Sequence, residues 1–222
     1  MSDALPAVRV ELFAPVASFR DPMFPGVTRC LPVPPLSTVR GLLAAAVGEL
    51  GYAPPVGIAA HAEGYGTDLE TYHPISSDGS NPAVAGRVAA IKGGMTIRKR
   101  DFLAAVRVVL WVPGEDGQRV ARALRRPVWP LRLGRSQDVV HVVDIREVTL
   151  QPATHATVGY AVAPPHAHDL SPASTLRLTT VVSPDRCDTR FGTFLWCPTG
   201  GGETQVHDAW RDGDQAVWLE TP

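Results

Sequence analysis

The 222-residue chain predicts an α+β fold built around a ferredoxin-like unit, in which two helices cover one face of a four-stranded antiparallel sheet. Three observations carry this. Residues 8–13 (VRVELF) alternate apolar and polar side chains, the period of a half-buried strand. Residues 39–50 repeat apolar positions at helical spacing after a proline-rich lead-in. Apolar strand-like and helix-like segments then follow in the order strand, helix, strand, insertion, strand, helix, loop, strand.

The first strand, 8–13, runs into APVASFRDPMFPG, which proline and glycine make a loop. In LPVPPLSTVRGLLAAAVGEL (31–50), Pro34 and Pro35 stop preceding structure, and Ser37 or Thr38 is placed to cap a helix. Val39, Leu42, Leu43, Ala46, Val47 and Leu50 form its apolar face, and Gly51 ends it. Gly41, Ala45 and Gly48 make a narrow strip for close packing; glycine in a helix costs about 1 kcal/mol against alanine. Residues 52–73 suit a second strand or an irregular hairpin. Residues 74–96, rich in Ser, Gly, Asn and Pro, form a long insertion. FLAAVRVVLWV (102–112) reads as a buried strand, and EDGQRVARALRRP (115–127) as a short helix with Val120, Ala123 and Leu124 inward and four arginines outward. A glycine-centred loop, WPLRLGRSQD, leads to the last strand, 139–150. This is the order of an RNA-recognition-motif-like domain over 1–150; residues 151–222, with short apolar runs between Pro and Gly clusters, predict a smaller β-rich lobe.

Composition narrows the function. With 45% hydrophobic residues the chain can bury a core, and its net charge of -1 makes polyanion binding a matter of local clustering. Only Lys92 and Lys99 among the 21 basic residues are lysines. Cys30, Cys187 and Cys197 are odd in number and lack CxxC spacing, which points to a reducing cytoplasm rather than a disulfide framework or zinc site. No apolar run is long enough to span a bilayer, and no export signal begins the chain. The seven histidines show no metal-ligand spacing, so neither a metal nor a cofactor is expected. His166 and His168, in PPHAHD, read as a surface turn.

Taken in order, FAPVASFRDP, LPVPPLSTVRGLLAAAVGE, RKRDFL and WPLRLGRSQD resemble the CRISPR-associated Cas-five family over about residues 8–150. The resemblance implies a noncatalytic subunit of a type I Cascade surveillance complex in antiviral defence. Such a subunit holds the 5′ handle of the CRISPR guide RNA and docks the backbone and large subunits. Target DNA is its partner indirectly, through the complex.

The candidate RNA contacts follow from residue chemistry placed in that context. Arg20, in SFRDP, is by itself a solvated arginine beside Asp21; the resemblance puts it near the RNA handle. Ser37, Thr38 and Arg40 set hydroxyls and a guanidinium at a helix start whose first amides are open, a combination suited to phosphate. Arg98, Lys99 and Arg100, with Lys92, are the densest basic run; a charge run is usually a solvated face, but the resemblance makes 74–100 a thumb that tucks against the guide RNA, hinged at Gly93 and Gly94. Arg132, Gly134, Arg135 and Ser136 form a glycine loop between two cations, a candidate phosphate nest. Trp129 is an aromatic suited to stacking on a base, though such a side chain more often closes a core edge.

Two other readings stay open. Metal-independent cleavage of CRISPR repeat RNA requires a base and an acid, and His73 beside Tyr72, with Lys92 or Lys99, is the best constellation for it. A phosphate-binding enzyme acting on a small molecule requires a catalytic set near the two glycine-containing elements, and the sequence offers none.

Overall fold

The computed structural model describes residues 4–24, 29–72, 75–76, 89–90, 96–185 and 187–222. It is a mixed α/β chain, mostly antiparallel sheet with two helices. In chain order come β1 (Leu5–Ala17), α1 (Leu36–Val47), β2 (Gly57–Tyr72), the short pair β3 (Ile75–Ser76) and β4 (Ala89–Ala90), and β5 (Thr96–Pro113). They are followed by α2 (Gly114–Arg125), β6 (His141–Gly159), β7 (Ser174–Val182), β8 (Thr189–Trp196), β9 (Gly201–Asp212) and β10 (Gln215–Val217). Six strands form one sheet in the order β10-β9-β6-β1-β5-β2; β7 and β8 form a separate hairpin.

The alternation in β1 decides which face meets the helices. Val8, Val10, Leu12 and Ala14 are buried and lie opposite Val112, Leu110, Val108 and Val106 of β5, all buried as well. Ile58 and Ala60 of β2 continue this face, and α1 contributes Leu36, Val39, Leu42, Leu43 and Ala46 while α2 contributes Val120, Ala121 and Leu124. The intervening residues Arg9, Glu11 and Phe13 of β1, Arg107, Val109 and Trp111 of β5, and Ala59 and His61 of β2 line the helix-free face. Strand 102–112 is therefore two-faced, not wholly buried as its composition suggests.

Helix α1 begins differently from its sequence expectation. Pro35 is the N-cap and makes no side-chain capping bond, and Ser37 and Thr38 lie inside the first turn. The helix stops at Gly48, in the left-handed conformation at φ 79°, where only glycine is unstrained. The Ala45 and Ala46 carbonyls then accept the amides of Trp129 and Val128 at 3.1 and 3.0 Å. A Cβ on Gly48 would meet Val128 at 2.9 Å, so this glycine does permit close packing, whereas Gly41 has open space beside it. Leu50 falls beyond the helix end and is exposed. Helix α2 carries Glu115 and Asp116 in its first turn and Arg122 and Arg125 in its last, matching its dipole at both ends.

The boundary expected at residue 150 falls inside β6, and β9 and β10 extend the same sheet beyond it. The β7–β8 hairpin places Leu178, Phe194 and Trp196 in the main core, and the Trp196 indole N–H donates to Ala60 O at 3.0 Å. Each such side chain contributes about 1.5–3 kcal/mol by burial, so the last third of the chain is energetically part of the same body. Among the described residues, no helix is long and apolar enough to cross a membrane.

Candidate functional site

β2 and β5 remain paired past the point where β1 ends. The β1–β5 ladder closes at Ala17 opposite Leu103, whereas β2–β5 pairing continues to Tyr72 opposite Thr96. At 3.3 Å per residue this makes a two-stranded arm roughly 20 Å long. Thr67, Leu69 and Thr71 share one of its faces with Asp101, Lys99 and Ile97; Asp68 and Glu70 share the other with Arg100 and Arg98. Arg98 and Lys99 are exposed, and so are Tyr65, Leu69 and Ile97; Leu69 lies directly opposite Lys99. A hydrogen bond with Asp101 pushes the Tyr65 hydroxyl up to about 12, so it is a neutral donor at physiological pH. Lys92, Gly93, Gly94 and His73, with most of the expected thumb and the Tyr72 side chain, lie outside what the structure describes.

At the arm's base the glycine loop is organised around an internal anion. Gly134 adopts φ 107°, and a Cβ there would come within 2.7 Å of Ser18 O. The buried Asp138 carboxylate accepts the amides of Ser18 at 3.0 Å and Arg135 at 2.9 Å, together with the Arg135 Nε–H at 3.0 Å. Arg135 also pairs with Glu70 at 2.7 Å and Asp68 at 3.5 Å, and Glu70 pairs with Arg100. Burial alone would lower the Arg135 pKa, but Asp138 and Glu70 outweigh it and raise it. The expected phosphate nest is thus already filled by a carboxylate; Arg135 ties the loop to the arm, and Arg100 ties the arm's two strands together through Glu70. Arg132, Gly134 and Ser136 are exposed. Arg20 is exposed too, two residues beyond Ser18, on a bridge with Cys30.

Arg40 is also internal, at 3% exposure. Its guanidinium donates to Thr180 O at 2.9 Å and Glu220 O at 2.8 Å, joining α1 to β7 and to the tail segment that bridges Val56. Burial lowers its pKa, offset in part by the Glu220 carboxylate. Instead of facing phosphate with Ser37 and Thr38, it fastens the C-terminal third to the helix. Ser37 and Arg40 together line only a cavity of about 160 Å³, with Gly41 and Thr180.

The helix-free face holds a cleft that sequence reasoning missed. It encloses about 400 Å³ among Arg9, His61, Arg107, Trp111, Arg146, Tyr160 and Asp212. The Trp111 indole N–H donates to Asp212 at 2.9 Å, Arg9 lies 3.5 Å from the same carboxylate, and the His61 and Tyr160 rings stack at 4.4 Å. The period-2 placement of Arg9, Glu11 and Phe13 opposite Trp111, Val109 and Arg107 was its available signal. Nor is PPHAHD a surface turn throughout: His168 is buried, and its Nδ1 accepts the Leu170 amide at 3.2 Å.

A model of the CRISPR-associated protein (Cas_Cas5) family matches residues 7–204. Comparison with curated protein sequences found no match. Among solved structures, the fold is similar to a chain of a CRISPR RNA-guided surveillance complex, with 18% identity, TM-score 0.57, and 92% of this chain and 90% of that chain covered. It is also similar to a CRISPR protein from Archaeoglobus fulgidus, with 15% identity, TM-score 0.48, and 98% and 100% covered. A third similar structure, a Cas protein, has 19% identity, TM-score 0.41, and 89% and 98% covered.

Proposed function

This chain belongs to the CRISPR-associated Cas5 family, and from that premise we propose that it is a noncatalytic subunit of a type I Cascade complex that caps the 5′ handle of the guide RNA. In this reading β6-β1-β5-β2, with α1 and α2, is the ferredoxin-like unit, and the arm is the root of a thumb over 74–100. Its neighbours are the backbone and large subunits, in the bacterial or archaeal cytoplasm. The observation that carries the reading is the arm itself: a projecting ribbon with exposed Arg98, Lys99 and Tyr65, beside Arg20.

Two cations and an aromatic side chain on an extended ribbon grip a single-stranded backbone by charge and stacking, with little sequence preference. Arg20, Lys92, Arg132 and Ser136 extend this grip; Arg100 and Arg135 brace the arm through Glu70, and Arg40 acts from inside the protein. Replacing Arg98 and Lys99 together by glutamine should weaken binding of a handle-bearing guide about tenfold and flatten its log–log salt slope by about 1.4, near 0.7 for each phosphate no longer neutralised. Unchanged affinity and slope across several salt concentrations would remove the arm from the interface.

Noncatalytic action is tested separately. Purified protein incubated with CRISPR repeat RNA in EDTA should leave it intact. Site-specific cleavage that disappears in His73→Ala would establish the endoribonuclease reading in its place.

A further inference from the structure

Between residues 117 and 137 the chain carries six arginines and no acidic residue. Arg119 is ion-paired with Glu49 and lies over the Tyr52 ring, and Arg135 is held by carboxylates at the arm base. Arg122, Arg125 and Arg126 are exposed, and among the described residues none of them forms an ion pair. Dipole matching accounts for Arg122 and Arg125 at the end of α2, but Arg126 is already the C-cap residue. Three residues on, Trp129 is 43% exposed.

That tryptophan stands on a fixed support. Pro127 and Pro130 restrict the backbone around it, the Val128 and Trp129 amides are bonded to the end of α1, and Val128 packs against Gly48. An aromatic ring exposed on a rigid strap loses little conformational freedom when it stacks. Arg122 and Arg126 are separated by about one helical turn, ~6 Å along the axis, and Arg126 lies within about 11 Å of Trp129 by chain length. Forked cations close along the chain to an exposed ring with an anchored backbone suit a flexible strand of phosphates and bases, because guanidinium matches phosphate bidentately and every base offers a stacking face.

We propose that the end of α2 and the strap 126–132 form a second polynucleotide platform, separate from the arm, in which Trp129 stacks on an unpaired base while Arg122, Arg125 and Arg126 hold flanking phosphates. The ligand is a single strand, from either the guide RNA beyond its handle or a displaced DNA strand.

The test uses the full chain with Arg98→Gln and Lys99→Gln as background, so that failure of the handle grip and failure of the platform are read independently. Fluorescent oligouridylate and oligothymidylate of roughly 15 nucleotides are titrated at several salt concentrations, with thermal melting as the folding control. Adding Arg122→Gln, Arg125→Gln and Arg126→Gln should weaken binding at least about tenfold and reduce the salt slope by about 2, again near 0.7 per phosphate. Trp129→Ala should weaken it about tenfold while Trp129→Phe keeps most of the affinity. Tighter binding of oligouridylate assigns the platform to RNA, and equal or tighter binding of oligothymidylate to DNA. The proposal is overturned if the background protein binds neither probe at low salt or if the arginine variant binds both unchanged. It is equally overturned if Trp129→Ala has no effect, or if the arginine variant loses only its association with other complex subunits, which would make this a protein-docking surface.

Discussion

Arg40→Ala should destabilise the protein by about 3 kcal/mol and leave the RNA affinity of the folded protein within about twofold of the original. The guanidinium makes two charge-assisted bonds to backbone carbonyls, Thr180 O and Glu220 O, contributed by parts of the chain 140 and 180 residues away. Alanine removes both donors at once, taking the guanidinium from Thr180 O and leaving Glu220 O with the Val56 amide at 3.1 Å. Part of that loss is recovered because burying the cation was itself costly and because water entering the enlarged cavity can hydrate the carbonyls. Arg40→Lys should fall between, since a single ammonium does not reproduce a planar fork spanning two acceptors. Urea denaturation followed by indole fluorescence gives the midpoint shift, and titration of handle RNA gives the affinity. Intact stability with an affinity loss of tenfold or more would restore Arg40 to the RNA interface.

The second large effect belongs to Asp138. Its carboxylate holds two backbone amides and the Arg135 side chain at 3% residue exposure. Asp138→Ala strands all three donors and leaves a buried cation short of one carboxylate, at an expected cost of about 3–5 kcal/mol. Arg135→Ala should cost less, because Asp138 keeps the amides of residues 18 and 135 as partners. That ordering separates an anion-centred loop from an ordinary surface ion pair, which would contribute at most about 1 kcal/mol whichever partner were removed. The comparison requires only denaturation midpoints of the two variants. Equal, small shifts would mean the loop is not organised by this carboxylate.

These two residues show where sequence reading loses its hold. Arg40 stands in the first turn of a helix and Arg135 beside a glycine, and by local chemistry both are natural anion contacts. Nothing within several residues of Arg40 reveals that Thr180 and Glu220 will supply acceptors. The Asp138 signal was nearer, three residues from Arg135, but an aspartate in a loop has the same appearance whether solvated or buried. The exposure of Arg98 and Lys99 was more legible, because a dense charge run on a projecting ribbon leaves side chains outside the core. The cleft around Trp111 escaped notice because an apolar strand composition conceals which alternate residues face away from the helices.

What the sequence determined by itself was the periodic part. Alternation in 8–13 set the inward face of β1, helical spacing set the buried stripe of α1, and ordered motifs along much of the chain pointed to the family. These features are local: a strand or helix repeats its geometry every few residues, so a short window contains the whole signal. Tertiary structure alone decided that the last third joins the same sheet and core, and which of the similar-looking arginines are spent inside. Those outcomes depend on partners more than a hundred residues away, where a cation satisfied by distant carbonyls and one exposed at the surface have the same local sequence.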